Sequence, residues 1–158
     1  MPAIYLETQI KSTVEVCFDL SRNIDFHQIS TAETNEKAIA GRTKGLIEAG
    51  EFVTWQAKHF GITQKLTSKI TAFNKPFYFR DEQQKGAFKY IIHDHYFESH
   101  NEYVLMKDIF NFQSPFGLIG NLVDKIVLTN YLRNILLKRN MVIKKYAETE
   151  KWKSLLNK

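Results

Sequence analysis

"LIGNLVDKIVLTNYLRNILLKRNMVIKKY", residues 118–146, is the stretch on which the fold turns. Val127, Tyr131, Ile135, Val142 and Tyr146 recur at spacings of four, four, seven and four. Such spacing draws one apolar stripe along a helix. The stretch predicts a helix near 30 residues long, or about 45 Å at a rise of 1.5 Å per residue. Ile119, Leu122, Val123 and Ile126 fall on nearly the opposite side, so the first turns are apolar all round. Burial on two sides, a kink, or a contact surface for a partner would each account for that. A single amphipathic helix is not stable alone in water and must lay its stripe on another apolar surface.

The rest of the chain supplies that surface as strands. "AIYLETQI" (3–10) alternates Ile4, Leu6, Thr8 and Ile10 against Tyr5, Glu7 and Gln9, a period of two. "STVEVCFDL" (12–20) predicts a short helix opened by a capping box of Ser12 and Glu15. "NIDFHQIS" (23–30) predicts a second. From "NEKAIAG" onward the pattern returns to strands, with turns near Gly50, Gly61, Lys75-Pro76, Gly86 and Ser99–Glu102. Neighbouring strands joined by short turns form an antiparallel sheet. A curved sheet and a straight helix touch well at their ends and poorly between, which leaves a hollow suited to a ligand.

Composition sets the outer bounds. The 158 residues, 44% apolar and 25% charged, suit one soluble domain over 1–158, with a core of about 3–147 and a basic tail at 148–158. The lone Cys17 excludes an internal disulfide and reads as a buried inert thiol. The N-terminus shows no signal-peptide pattern, and no run reaches the roughly 18 apolar residues of a membrane span. A cytoplasmic location is expected. Residues 133–158 carry eight Lys or Arg and two Glu, whereas residues 1–132 carry 14 basic and 15 acidic side chains, which together make the net +5. A basic tail attracts anionic lipid or phosphate, but it is also the ordinary composition of a solvated helix end. No nucleic-acid motif accompanies it, so nucleic acid is not an expected partner.

Several strings resemble the START-like, birch-pollen-allergen-like superfamily (SRPBCC). They are "STVEVCFDL" after the first strand, "VTWQAKHFGITQKLTSKITAFNKP", "FRDEQQKGAFKYIIHDHYF", and "MKDIFNFQSPFG" leading into the long helix. The likeness is greatest to the bacterial ligand-binding, polyketide cyclase/dehydrase-like branch. It implies an α+β helix-grip fold: a curved antiparallel sheet wrapped around a long C-terminal helix, with two short helices after the first strand. It further implies a hydrophobic pocket for a lipid, quinone or polyketide-like molecule. Some members are enzymes and others only bind or carry, so fold does not fix activity.

The chemistry gathers at "YIIHDHYF" (90–97). Residues two apart share a face of a strand, so Ile91, His93, His95 and Phe97 line up together, opposite Tyr90, Ile92, Asp94 and Tyr96. Both faces are mixed, and the pattern leaves the inward one open. The resemblance implies that His93 and His95 point in. Asp81 and Gln83 on the preceding strand, and Asp108 and Phe110 on the following one, are candidates to join them. Trp55 and His59 from an earlier strand and Tyr131 from the helix complete the expected ligand-binding set with Ile91. His93, His95 and Asp108 are also the candidates for acid–base catalysis. His-x-His with an Asp can chelate, but that spacing is a weak signal with no further His or Cys at a telling distance. No metal site and no cofactor are expected. The expected function is binding or carriage of a small hydrophobic or amphipathic molecule. The alternatives are an aromatase/cyclase-type enzyme using the same cavity, and a lipid-transfer or membrane-surface protein using the long helix and the basic tail. The oligomeric state is left open, a homodimer included.

Overall fold

The computed structural model describes residues 2–156. Seven strands form one antiparallel sheet: β1 (Ala3–Ile10), β2 (Lys37–Gly41), β3 (Phe52–His59), β4 (Ile62–Asn74), β5 (Tyr78–Lys85), β6 (Tyr90–Ser99) and β7 (Val104–Gln113). Their order is β1-β7-β6-β5-β4-β3-β2, so all but β1 lie beside their neighbours in sequence. The β3–β4 turn is two residues long, with Phe60 at φ 52° and Gly61 at φ 75°. That left-handed pair matches the twist of a hairpin. Register shifts lie at Thr67/Ser68 and Ile70/Ala72 in the β4–β5 pair and at Ala38/Ala40 in β2. Bulges of this kind bend strands and increase twist. They give the sheet the concavity on which the hollow depends.

Helices α1 (Val14–Arg22) and α2 (Ile24–Ser30) fill one end of the sheet between β1 and β2. The cap of α1 is Thr13 rather than Ser12: its side chain accepts from Val16 N at 3.3 Å. Asn23 caps α2 in the same way, accepting from Phe26 N at 2.9 Å. Each such cap is worth about 1 kcal/mol. Phe18 of α1 meets Phe73, Phe79 and Phe97 edge-on at 5.4–5.5 Å between ring centres. Cys17 beside it is sealed in, and burial pushes its thiol up to about 12. It is inert, as its apolar setting predicts.

The long helix runs as α3 (Gly117–Val123), one π turn (Asp124–Leu128) and α4 (Thr129–Ala147). The π turn has an identifiable cause. The buried Asp124 carboxylate accepts from Ser114 N at 2.8 Å and from Ser114 Oγ, which ties this turn to the end of β7. Thr129 Oγ1 caps Asp124 O at 2.6 Å. Of the three readings of the apolar first turns, burial on two sides is overturned. Leu118 is 88% and Ile119 75% exposed, and Leu122 and Ile126 also face outward. The buried line of α4 is likewise rotated from the expected stripe. Leu136, Arg139, Asn140 and Ile143 face the core. Ile135, Val142 and Tyr146 form its half-buried shoulder, while Val127 is exposed. The rotation follows from Arg139 and Asn140, whose polar heads reach into the sheet. The helix α5 (Lys151–Leu156) folds back, with Trp152, Leu155 and Leu156 on the core. Among the described residues no helix is long and apolar enough to cross a membrane.

Candidate functional site

Between α4 and the concave face of the sheet lies a cavity of about 210 Å³. Measured in this way one water occupies ~10–15 Å³, so there is room for on the order of ten waters or a small organic molecule. Its wall is mostly apolar: Val53, Trp55 and Ala57 of β3, Ile70 of β4, Ile91 and Phe110, and Leu132 and Leu136 of α4. The alternation in β3, β4 and β6 puts these side chains on one face of the sheet. The expected residues Trp55, His59, Asp81, Ile91, His93, His95 and Phe110 all line the cavity.

Three expected residues do not. Asp108 lies behind the histidines at 1% exposure and acts on the cavity through them. Gln83 shares the concave face with Asp81, opposite Ser68, but its side chain runs along the sheet to the β5–β6 turn instead of into the cavity. Its Nε2 donates to Phe88 O at 2.7 Å, which clamps the β5–β6 turn, and its buried Oε1 has no hydrogen-bond partner. Tyr131 stands at the rim, where its hydroxyl bonds His59 Nδ1 at 2.9 Å and its ring packs on Phe60.

At one end of the hollow the polar residues form a single network. β5 and β6 pair with Asp81 opposite His93, and β6 and β7 with His95 opposite Asp108, so the sheet register alone brings these groups together. His93 Nε2 is 2.8 Å from Asp108 Oδ1, and His95 Nε2 is 2.7 Å from Asp81 Oδ2. The second nitrogens cross over: His95 Nδ1 lies 3.3 Å from Asp108 Oδ1 and His93 Nδ1 lies 3.8 Å from Asp81 Oδ2. Ser68 Oγ donates to Asp81 Oδ1 at 3.1 Å. Asn140 Nδ2 donates to Asp108 Oδ2 at 2.7 Å, and Arg139 Nη1 to Asp108 Oδ1 at 3.3 Å. The two imidazoles lie 3.7 Å apart at a tilt of 35°, with Phe79 stacked over His95 at 4.1 Å and Phe110 edge-on to His93 at 5.1 Å. Asp81 is the open member: 31% of its side chain is accessible, while those of both histidines and Asp108 are nearly sealed.

Superposition on solved structures identifies the architecture. A protein of Thermus thermophilus matches with a TM-score of 0.70 at 14% identity, over 90% of this chain and 97% of its own. A major latex-like protein from Panax ginseng matches with a TM-score of 0.69 at 17% identity, over 94% of this chain and 98% of its own. Ara h 8.0201 matches with a TM-score of 0.62 at 12% identity, over 92% and 97%. The fold is the helix grip of the START-like, birch-pollen-allergen-like proteins. At these identities the likeness concerns the helix-grip architecture alone. No family model matches the sequence, and no curated protein matches it either.

Electrostatics divide the labour within the helix-grip cavity. Burial disfavours charge on every member, and the network decides where charge survives. For Asp108 and Asp81, bonds from the histidines and the nearby Arg139 outweigh burial and hold both carboxyls below their usual range. Burial and the neighbouring His95 push His93 down to about 4, so it is neutral at pH 7. Burial also acts on His95, but its bonds to Asp108 and Asp81 prevail and raise it. The network thus sets two carboxylates against one guanidinium and two imidazoles. Arg139 Nη2 also approaches His95 Nδ1 at 3.5 Å, too long for a strong bond, so the Nδ1–H is assigned to Asp108.

Sequence reasoning missed Arg139, Asn140 and a second polar group at the opposite wall. There His27 Nε2 meets Glu36 Oε1 at 3.1 Å and its ring lies 4.3 Å from Trp55, tilted by 36°. Burial opposes the Glu36 charge, but His27 outweighs it and lowers that carboxyl. A signal for Arg139 was present. Leu132, Leu136, Arg139 and Ile143 follow at four, three and four, a buried line interrupted by one cation.

Proposed function

We propose that the protein binds a small amphipathic molecule inside the helix-grip cavity, with its apolar body against Trp55, Ile91, Phe110 and Leu136 and its polar end toward Asp81, His93 and His95. The observation that carries this reading is the contrast within one hollow: an apolar wall, and at one end a buried charged network with a single carboxylate left open to the space. The wall supplies affinity at about 25 cal/mol per Å² of apolar area removed from water. The network supplies orientation, since a ligand that leaves Asp81 without a polar partner forfeits about 1–3 kcal/mol.

The test uses two readouts. Native mass spectrometry of gently purified protein is expected to show a co-purifying molecule of a few hundred daltons. Titration with anilinonaphthalene sulfonate, whose rings brighten on leaving water, is expected to saturate at one molecule per chain through the apolar wall. Ala57→Phe places a ring in the hollow and is expected to weaken that binding roughly tenfold, or about 1.4 kcal/mol. No co-purifying species, together with equal probe binding by Ala57→Phe, would overturn the reading.

Loading from a membrane is a second reading, supported by the exposed apolar turns of α3 just before the rim residue Tyr131. The basic residues around Lys144 and Lys145 stand at the far end of the same helix, roughly 30 Å away at 1.5 Å per residue from Ile126. Lys144 is already engaged by Glu148 and Gln9 O. Attachment would therefore rest on the apolar turns. Leu118→Asp with Ile119→Asp is expected to abolish sedimentation with phosphatidylcholine vesicles, and retained sedimentation would remove this reading.

A further inference from the structure

The geometry points to a divalent transition-metal site formed by His93, His95 and Asp81 at the polar end of the cavity. In the sequence, His-x-His with an Asp is a weak signal for a metal, because no further His or Cys stands at a telling distance. The fold supplies the third ligand and the groups that hold the three in place.

Ligand atoms of Asp81, His93 and His95 lie within 4.8 Å of one another. Asp81 Oδ2 is 2.7 Å from His95 Nε2 and 3.8 Å from His93 Nδ1. Metal–ligand bonds of ~2.0–2.1 Å place neighbouring donors roughly 3–3.4 Å apart, and the two distances from Asp81 to the histidines bracket that spacing. An accidental cluster would not be expected to have its outer atoms arranged as well. Both imidazoles turn their other nitrogen onto one sealed carboxylate: His93 Nε2 is 2.8 Å and His95 Nδ1 3.3 Å from Asp108 Oδ1. A carboxylate accepting the far N–H fixes the tautomer that leaves the near nitrogen's lone pair for a metal. Asp108 is itself held by Asn140 at 2.7 Å. Ser68 holds Asp81 Oδ1 at 3.1 Å, which leaves Oδ2 toward the histidines.

The accessible side of Asp81 looks into the cavity, so coordination positions not filled by protein face the hollow. Two imidazoles and one carboxylate suit Zn²⁺, Co²⁺ or Fe²⁺ rather than Mg²⁺ or Ca²⁺, which prefer oxygen donors. The inference does not rest on the ligand reading, because it concerns an ion and three side chains alone.

The experiment titrates chelator-treated full-length protein with Co²⁺ and follows visible absorption, with Zn²⁺ competition by calorimetry. One Co²⁺ per chain is expected. Asp81→Asn is expected to remove binding, and Asp108→Asn to weaken it about 10–100-fold, the usual effect of losing an outer-shell partner. Arg80→Gln, on the other face of the sheet, is expected to leave it unchanged. On unaltered protein, substoichiometric Co²⁺ is expected to shift or broaden the His93 and His95 ring signals in nitrogen-correlated NMR before those of His27, His59 and His100. No saturable Co²⁺ binding, binding unchanged in a folded Asp81→Asn, or perturbation centred on the other histidines would each overturn the site. Failure of Co²⁺ binding with retained anilinonaphthalene sulfonate binding would remove the metal and leave the cavity reading intact.

Discussion

Strands β5 and β6 present paired charges on both faces, and the two faces treat them differently. On the convex side Arg80 grips Asp94 with two parallel bonds, Nε at 2.7 Å and Nη2 at 3.0 Å, and Tyr78 donates to the same carboxylate at 2.6 Å. Tyr96 stacks on Tyr78 at 4.8 Å and covers the group. Bidentate pairing of this kind fixes orientation as well as charge. On the concave side Asp81 holds one bond from Ser68 and one from His95, and the rest of its carboxylate faces empty volume. The closed network ties two strands together. The open one spends similar groups on a surface that something else completes.

The largest effect is expected where the concave network is sealed. Asp108→Ala strips His93, Arg139 and Asn140 of their shared acceptor. Removing one partner from a buried ionic group costs about 3–5 kcal/mol. Urea unfolding followed by circular dichroism measures it, and a loss below about 1 kcal/mol would show that the network does not support the fold.

A smaller loss is expected on the convex side. Asp94→Asn is expected to cost about 1–2 kcal/mol, because the pair is partly exposed through Arg80 and an amide keeps one of its bonds. Burial opposes the Asp94 charge, but Arg80 and Tyr78 outweigh it and lower the carboxyl. A depressed acid contributes stability above its unfolded value near 3.9 and loses it as pH falls through the folded one. The stability gap between the parent and Asp94→Asn is therefore expected to be full at pH 7 and to shrink below about pH 4. A gap that stays constant down to pH 2 would break the assignment of Asp94 as a charged partner.

The smallest stability effect belongs to Asp81→Asn, at under about 1 kcal/mol, since the side chain already borders open space and an amide can still meet Ser68. The comparison is sharpened if this variant is nearly as stable as the parent yet loses Co²⁺. It breaks if Asp81→Asn unfolds more readily than Asp94→Asn.

The architecture was legible in the sequence because period-two and helical patterns are local. The inward face of β6 was not. Ile91, His93, His95 and Phe97 read no more apolar than Tyr90, Ile92, Asp94 and Tyr96, because one face buries a polar network and the other covers a salt bridge with tyrosines. Asp81 and Asp108 were reachable by alternation along their strands. Gln83 obeys the same alternation and stays on that face, but its bond to Phe88 O draws its head to the β5–β6 turn, a contact that local sequence does not show. Arg139 left only the faint signal of a cation in an apolar line, and Asn140 none, because a polar pair on a helix reads as a solvated face until a buried acceptor such as Asp108 is known to lie opposite. The π turn depends on Ser114 and Asp124, ten residues apart, meeting across the junction of strand and helix.

Cys17 gives the molecule a built-in clock. It is the sole cysteine of the chain, fully enclosed on the inner face of α1 and held in its unreactive protonated form. A thiol reagent meets it only when α1 lifts from the sheet, so the labelling rate times that local opening without any engineered tag. Slower labelling in the presence of a cavity occupant would then record how firmly a guest latches the wall of its own chamber.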